Sequence, residues 1–66
     1  MLDAISEALD RAEAAAEAGN LDEFRSEIIE AETVLDRYGH GYRNDTRVYW
    51  REEIDAVQRR CAEVFA

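Results

Sequence analysis

The fold of this chain is decided by the stretch EAGNLDEF, residues 17–24. Gly19 stands where a glycine just past a helix end can take the left-handed conformation that closes the last turn. Asn20 is a favourable N-cap for a following helix, and Glu23, three residues on, completes a capping box. A connection of only two residues forces the flanking helices into an antiparallel hairpin.

Apolar residues recur at alternating steps of three and four on both sides of this turn, and again near the end of the chain. This spacing keeps side chains on one face of a helix. A second break, Gly39-His40-Gly41, ends the second helix in the same way, and Asn44, Asp45 or Thr46 should cap the third. We predict helices at about 2–18, 21–38 and 46–65. The core stripes are Leu2, Ile5, Leu9, Ala12 and Ala16, then Leu21, Phe24, Ile28, Ala31, Leu35 and Tyr38, then Trp50, Ile54, Val57, Cys61 and Val64.

The sequence therefore predicts an all-α fold, a three-helix bundle made of an antiparallel helical hairpin plus a third helix, in a single domain over residues 1–66. A chain this short hides only about 60% of its unfolded surface, so a second copy would help to stabilise it. The third helix either folds back across the hairpin or pairs with another chain. Both arrangements are open at this point, and homodimerisation is one way to complete the core.

The hairpin has a local resemblance to a known repeat. Gly19–Phe24, followed by Ile28 and Ala31, resembles the turn and second helix of a tetratricopeptide repeat. Such repeats stack into peptide-binding arrays. The match covers at most residues 8–36, and Phe24 and Asp36 stand where the family prefers a small residue and a proline. Because at least three repeats are normally needed and no second copy occurs, we interpret the segment as a helical hairpin of general type.

Residues with catalytic potential are few. Cys61, the only cysteine, lies in an apolar stripe where burial makes a thiol inert, and His40, the only histidine, lies in the glycine break. One cysteine and one histidine cannot fill a tetrahedral zinc site, and the Glu-x-x-His motif of di-iron bundles does not occur. We expect no enzyme activity, no catalytic residue, no bound metal and no cofactor.

The cellular setting follows from three simple observations. A lone cysteine is typical of a reducing compartment. The N-terminus is acidic where a secretion signal is basic and apolar. No apolar run approaches the roughly 20 residues that cross a bilayer. We therefore predict a cytoplasmic, soluble protein that does not associate with membranes.

The net charge of −8 is concentrated in one part of the chain. Residues 1–38 carry a net −8, whereas residues 39–66 carry equal numbers of acidic and basic side chains. Such an excess opposes binding to nucleic acid and anionic membranes, and it favours basic partners. We expect an acidic face on the hairpin that contains Glu13, Glu17, Asp22, Glu23, Glu27 and Glu30.

The segment 37–51 differs in composition from the acidic hairpin, because it contains four arginines, one acidic residue and four of the six aromatic residues. Tyrosine, tryptophan and arginine are the residues most enriched at binding hot spots. Arg43, Arg47 and Arg51 are spaced by four, and they either meet a partner or pair with the acidic hairpin or with Asp55. Together with apolar residues that lie off the core stripes, they give the candidate partner-binding residues: Tyr42, Arg43, Arg47, Val48, Tyr49, Arg51, Ile29 and Phe65.

Three functions are compatible with these features. The first is a small acidic protein-binding module, an inhibitor or adaptor that engages a basic surface. In size and charge the chain resembles the small inhibitors encoded by phages and mobile elements, some of which mimic DNA. The second is a structural or regulatory homo-oligomer. The third is a nucleic-acid-binding regulator that uses the segment 37–51.

Overall fold

The computed structural model describes residues 3–65, which form three α-helices. Helix α1 comprises Asp3–Glu17, α2 comprises Leu21–Tyr38 and α3 comprises Asn44–Ala62. Short 3-10 turns follow α2 at Gly39–Gly41 and α3 at Glu63–Phe65. The three predicted helices are thus confirmed, although α3 begins before residue 46 and changes to a 3-10 turn before residue 65. Leu2 lies outside the described residues.

The turn between α1 and α2 is built as the sequence predicts. Gly19 has φ +72°, in the left-handed region. The N–H of Gly19 donates to Ala16 O at 3.0 Å and the N–H of Asn20 donates to Ala15 O at 2.9 Å, the paired bonds of a Schellman motif. Asn20 then caps α2, because its Oδ1 accepts from the Glu23 N–H at 3.1 Å. Its Nδ2 donates to the Glu23 carboxylate at 3.1 Å, which closes the capping box through side chains.

The hydrophobic core lies between all three helices. Four alanines on α1 let α2 approach closely, because a methyl side chain keeps the helix surface slim. From the hairpin the core takes Ile5, Ala8, Leu9, Ala12, Ala15, Ala16, Phe24, Ile28, Ala31, Val34 and Leu35, all buried. Every predicted stripe residue within α1 that the structure describes is among them. No helix within residues 3–65 is long and apolar enough to cross a membrane.

Helix α3 folds back across the hairpin and contacts both α1 and α2. Its buried residues are Ile54, Val57 and Cys61. After the helix, the 3-10 turn brings the Phe65 ring to 5.4 Å from that of Phe24, centroid to centroid, with 46° between the ring planes. The fold is therefore an all-α three-helix bundle. Of the two arrangements open for the third helix, the structure shows the one within the chain.

Two predicted core positions are wrong. Tyr38 is 42% exposed and Val64 is 56% exposed. The pair Arg11–Glu27 fixes the antiparallel register of α1 and α2, and it sets Asp3, the first described residue of α1, level with Leu35. Tyr38 lies almost a turn beyond that point, past the described part of α1. Val64 lies in the 3-10 turn that follows α3, beyond the last buried residue of that helix, Cys61.

The second glycine break also differs from prediction. Gly39 has φ −70° and carries the chain from α2 into the 3-10 turn, so the break contains no left-handed glycine. The N-cap of α3 is Arg43, which makes no side-chain capping bond. Of the three expected caps, Asp45 only accepts from the adjacent Thr46 N–H at 3.0 Å. Side-chain capping therefore does not explain where α3 begins.

Candidate interaction surfaces

The side of α1 that faces away from the other helices carries a row of exposed carboxylates: Asp3, Glu7, Asp10 and Glu17. At 3.6 residues per turn, these four fall within about 80° of one another around the helix. No ion pair within residues 3–65 links them to a basic side chain. Sequence reasoning named only Glu17, although spacings of four, three and seven mark the whole row.

A second acidic row lies on the flank of α2 that borders α1. It consists of Glu23, Glu27 and Glu30, again spaced by four and three. Between the two rows stands Arg11, whose Nε donates to Glu27 Oε2 at 2.9 Å. This hydrogen bond raises the pKa of Arg11, and the charges of Glu27, Glu7 and Glu30 add to the effect. We define the α1/α2 acidic face as these two rows with Arg11.

The two other residues of the predicted acidic face lie elsewhere. Glu13 is on the side of α1 that borders α3, where its Oε1 accepts from the Arg60 guanidinium at 2.7 Å. Asp22, one residue before Glu23, lies about 100° from it around α2, and so points away from α1. The structure therefore brings together four of the six predicted acidic residues, and it adds Asp3, Glu7 and Asp10.

On the opposite side of α2, a recess of about 320 Å³ opens where α2 and α3 meet, beside the 3-10 turn Gly39–Gly41. Three of its residues, Arg47, Val48 and Arg51, are among the predicted partner-binding residues. We call it the α2/α3 recess. The full lining is Leu35, Asp36, Gly39, His40, Asn44, Arg47, Val48 and Arg51.

The two arginines of the α2/α3 recess are held differently. Arg51 lies 3.7 Å from Asp36, and their side chains are 58% and 75% exposed, so this ion pair is weak. The expected pairing of the arginines with the acidic hairpin is thus confirmed for Arg51. Arg47 makes no ion pair among the described residues. Its methylene stem lies across Gly39, where a Cβ would come within 3.4 Å of the Arg47 Cγ.

A smaller recess of about 180 Å³ continues along the same seam between α2 and α3. Ile29, 61% exposed, lies on its edge. Its other lining residues are Phe24, Arg25, Ile28, Glu32 and Gln58. Ile29 is level with Gln58, and from there to Val48 the seam runs about 15 Å by the helical rise. Ile29 and Val48 therefore share one side of the molecule.

The remaining predicted partner-binding residues do not join that side. Tyr49, 54% exposed, stacks edge-on against Trp50 at 5.2 Å, about 100° around α3 from Val48. Tyr42 and Arg43 are exposed in the connection before α3 and line neither recess. Phe65 packs on Phe24 and serves the core, and its spacing of four residues from the buried Cys61 is the signal that sequence reasoning missed.

The only histidine and the only cysteine are far apart. His40 is exposed in the 3-10 turn Gly39–Gly41, before α3. Cys61 is buried in α3, seventeen residues and about 26 Å from the first residue of that helix. Burial raises the pKa of the Cys61 thiol, and the Glu13 charge adds to that effect. No group of three or more potential metal ligands occurs within the described part of the chain.

In comparisons with known proteins, no family model, no curated protein and no solved structure matches this chain.

Proposed function

We propose that this protein is a non-catalytic protein-binding module, an inhibitor or adaptor whose α1/α2 acidic face engages a basic surface of a partner protein. The observation that carries the proposal is the separation of charge by face. Seven carboxylates with one arginine lie on the α1/α2 side, whereas the two recesses along the α2/α3 seam mix three arginines and a histidine with two carboxylates. Acids distributed evenly over every face would give no such support.

The charge density of the face defines which partner it suits. The α1 row runs from Asp3 to Glu17, which is about 21 Å by the helical rise. The face therefore carries about one net negative charge per 3.5 Å, whereas duplex DNA carries one per about 1.7 Å. Within each row, carboxylates three or four residues apart are separated by about 4.5–6 Å along the helix axis, less than the roughly 8 Å screening length, so these neighbours act on a partner collectively. A basic groove or basic helix fits this density, and a DNA mimic would need about twice as much.

Homo-oligomerisation is the second candidate function, and a different observation favours it. Ile29 and Val48 are 61% and 47% exposed on the same seam, and their burial against a second copy would enlarge a small core. Binding of nucleic acid has less support. Arg51 faces Asp36, Arg43 lines neither recess, and the net charge of −8 repels a polyanion.

The proposal is tested by neutralising three carboxylates on the acidic face in one variant and three carboxylates elsewhere in a matched control. One bait carries Glu7→Gln, Asp10→Asn and Glu17→Gln on α1. The matched control carries Glu52→Gln, Asp55→Asn and Glu63→Gln, which are also exposed but lie on or after α3. Each bait is used for affinity capture from the source cells, and captured proteins are identified by mass spectrometry and then measured with purified components.

We expect the wild-type and control baits to retain the same basic partner, released by salt, and the α1 variant to lose it. Three exposed charge pairs at about 0.2–1 kcal/mol each correspond to a loss of about three- to a hundredfold in affinity. Equal binding by the α1 variant, or equal loss by the control, would show that the acidic face is not the contact surface.

A further inference from the structure

The α2/α3 recess has the opposite polarity to the protein as a whole. In a molecule of net charge −8, two arginines, a histidine and the amide of Asn44 line it together, against the single carboxylate of Asp36. Its volume of about 320 Å³ lies at the lower end of the range for sites that hold a small ligand or one anchored segment. Charge complementarity therefore calls for an anionic ligand.

Arg47 is positioned before any ligand arrives. Its stem lies across Gly39, and the side chain that glycine lacks would stand 3.4 Å from Arg47 Cγ and 3.6 Å from Arg47 Cδ. This contact orients the stem while the guanidinium remains without an ion-pair partner in the described chain. A planar guanidinium offers two parallel N–H donors to a carboxylate. The contact of the stem with Gly39 restricts part of the side-chain freedom that binding would otherwise remove, which favours affinity.

Arg51 can turn to the same ligand. Its contact with Asp36 is 3.7 Å long and both side chains are largely exposed, so exchanging Asp36 for another carboxylate costs little. Four residues separate Arg51 from Arg47, one turn of α3, and the two guanidinium groups therefore stand one above the other on the same wall.

The apolar part of the lining indicates the kind of anion. Leu35 and Val48 contribute aliphatic surface, and Val48 is 47% exposed. Free phosphate would leave this surface uncovered, and a nucleic acid would meet the repulsion of the net charge. A peptide that carries an apolar side chain beside a carboxylate can contact both the arginines and the aliphatic surface of the recess.

We propose that the α2/α3 recess binds an acidic peptide segment of a protein partner, with its carboxylate on Arg47 and Arg51 and an apolar side chain against Leu35 and Val48. This site is separate from the α1/α2 acidic face, on the other flank of α2. Two surfaces of opposite charge would let the protein hold a basic and an acidic partner together, so this inference extends the adaptor form of the proposed function.

The experiment uses a blocked heptapeptide of alternating glutamate and leucine, titrated into the isotopically labelled protein and followed by amide chemical shifts. A matched peptide has glutamine in place of glutamate. Arg47→Gln keeps the stem on Gly39, and Val48→Ala removes apolar surface without changing charge. Arg59→Gln is the control, because Arg59 is exposed on α3 and lies outside both recesses. Far-ultraviolet circular dichroism checks that each variant remains helical.

We expect shifts confined to the amides that surround the α2/α3 recess. Arg47→Gln should weaken binding about three- to tenfold, Val48→Ala should weaken it measurably, and Arg59→Gln should leave it within about twofold. The triple α1 variant should bind the peptide as well as wild type, so a failure of the acidic face and a failure of the recess are distinguishable.

Four results would overturn the proposal. The glutamine peptide could bind equally well, which would show that the carboxylate is not recognised. Arg59→Gln could cause the same loss as Arg47→Gln, which would show a general charge effect. Inorganic phosphate alone could shift the same amides at the same concentration, which would make the site a phosphate site. Finally, the same amides could shift on raising the protein concentration without peptide, which would make a second copy the occupant.

Discussion

Gly19 gives the sharpest test of how this fold is specified. Its φ of +72° lies in the left-handed region, which costs a residue with a side chain about 1–2 kcal/mol. A Cβ added there would meet nothing within 4 Å, so Gly19→Ala introduces no steric clash. Alanine also reduces the freedom of the unfolded chain, which offsets about 0.4–1 kcal/mol of the cost. The net effect on the free energy of unfolding is a loss of about 1 kcal/mol.

Gly41 is the matched control in the other break. A Cβ there would also meet nothing within 4 Å, but its φ is not positive. Gly41→Ala should therefore be neutral or slightly stabilising, because only the unfolded-chain term remains. Gly19→Asn should fall between wild type and Gly19→Ala, since asparagine tolerates the left-handed region better than alanine does.

Thermal and urea unfolding followed by circular dichroism would measure these differences. For a domain of this size, 1 kcal/mol corresponds to a change in Tm of about 4–8 °C. The total stability expected for 66 residues is only about 3–10 kcal/mol, so the effect is a substantial fraction of it. If both alanine variants unfold at the same temperature, the left-handed turn does not contribute to stability and the reasoning about residues 17–24 fails.

Two further predictions concern the core. Ile5 is fully buried, so Ile5→Ala should lower the free energy of unfolding in urea by about 2–5 kcal/mol. Ile29 is 61% exposed, so Ile29→Ala should change the free energy of unfolding by less than about 0.5 kcal/mol. Similar losses in both variants would mean that Ile29 is also covered. Burial raises the pKa of Cys61, so the folded state favours the neutral thiol. This contribution to stability is complete below the unfolded-state pKa of about 8.5, and it is lost as the pH rises through the folded-state pKa. Between about pH 8 and pH 10, wild type should therefore lose more stability than Cys61→Ala does, and parallel profiles for the two proteins would contradict it.

Much of the fold could be predicted because its signals are local. The Gly19-Asn20 turn depends on neighbours within five residues, and the structure shows both the left-handed Gly19 and the Asn20 cap. Glu23 differs in one bond, because it accepts from the Asn20 side chain while the Asn20 backbone N–H donates to Ala15 O. The stripes fixed the faces of α1 and most of α2 for the same reason. Helical periodicity reports which residues share a face, and a face with enough apolar residues is buried.

The errors arise where burial depends on another helix rather than on the stripe itself. Tyr38 has the correct phase, but the described part of α1 ends before reaching its level. Val34 lies off the predicted stripe, yet it is buried because α1 covers that flank of α2. Phe65, which we expected at a partner-binding surface, packs on Phe24 instead. The relative lengths of two helices and the side on which a neighbouring helix lies are tertiary properties that one helical period does not contain.

For the functional surfaces too, the sequence predicts what depends on local composition and misses what depends on tertiary packing. Helix α2 shows the reason. The sequence locates the acidic excess in residues 1–38 but treats the hairpin as one surface. In the folded chain, α2 is shared between two sides: Glu23, Glu27 and Glu30 extend the acidic row of α1, whereas Glu32 and Asp36 line the recesses on the other flank. The carboxylates on that second flank are thus partly balanced, as Asp36 is by Arg51. A helix that borders both neighbours therefore separates an acidic face, in which Arg11 balances one of seven carboxylates, from a recess in which two arginines of α3 outnumber the single carboxylate of Asp36.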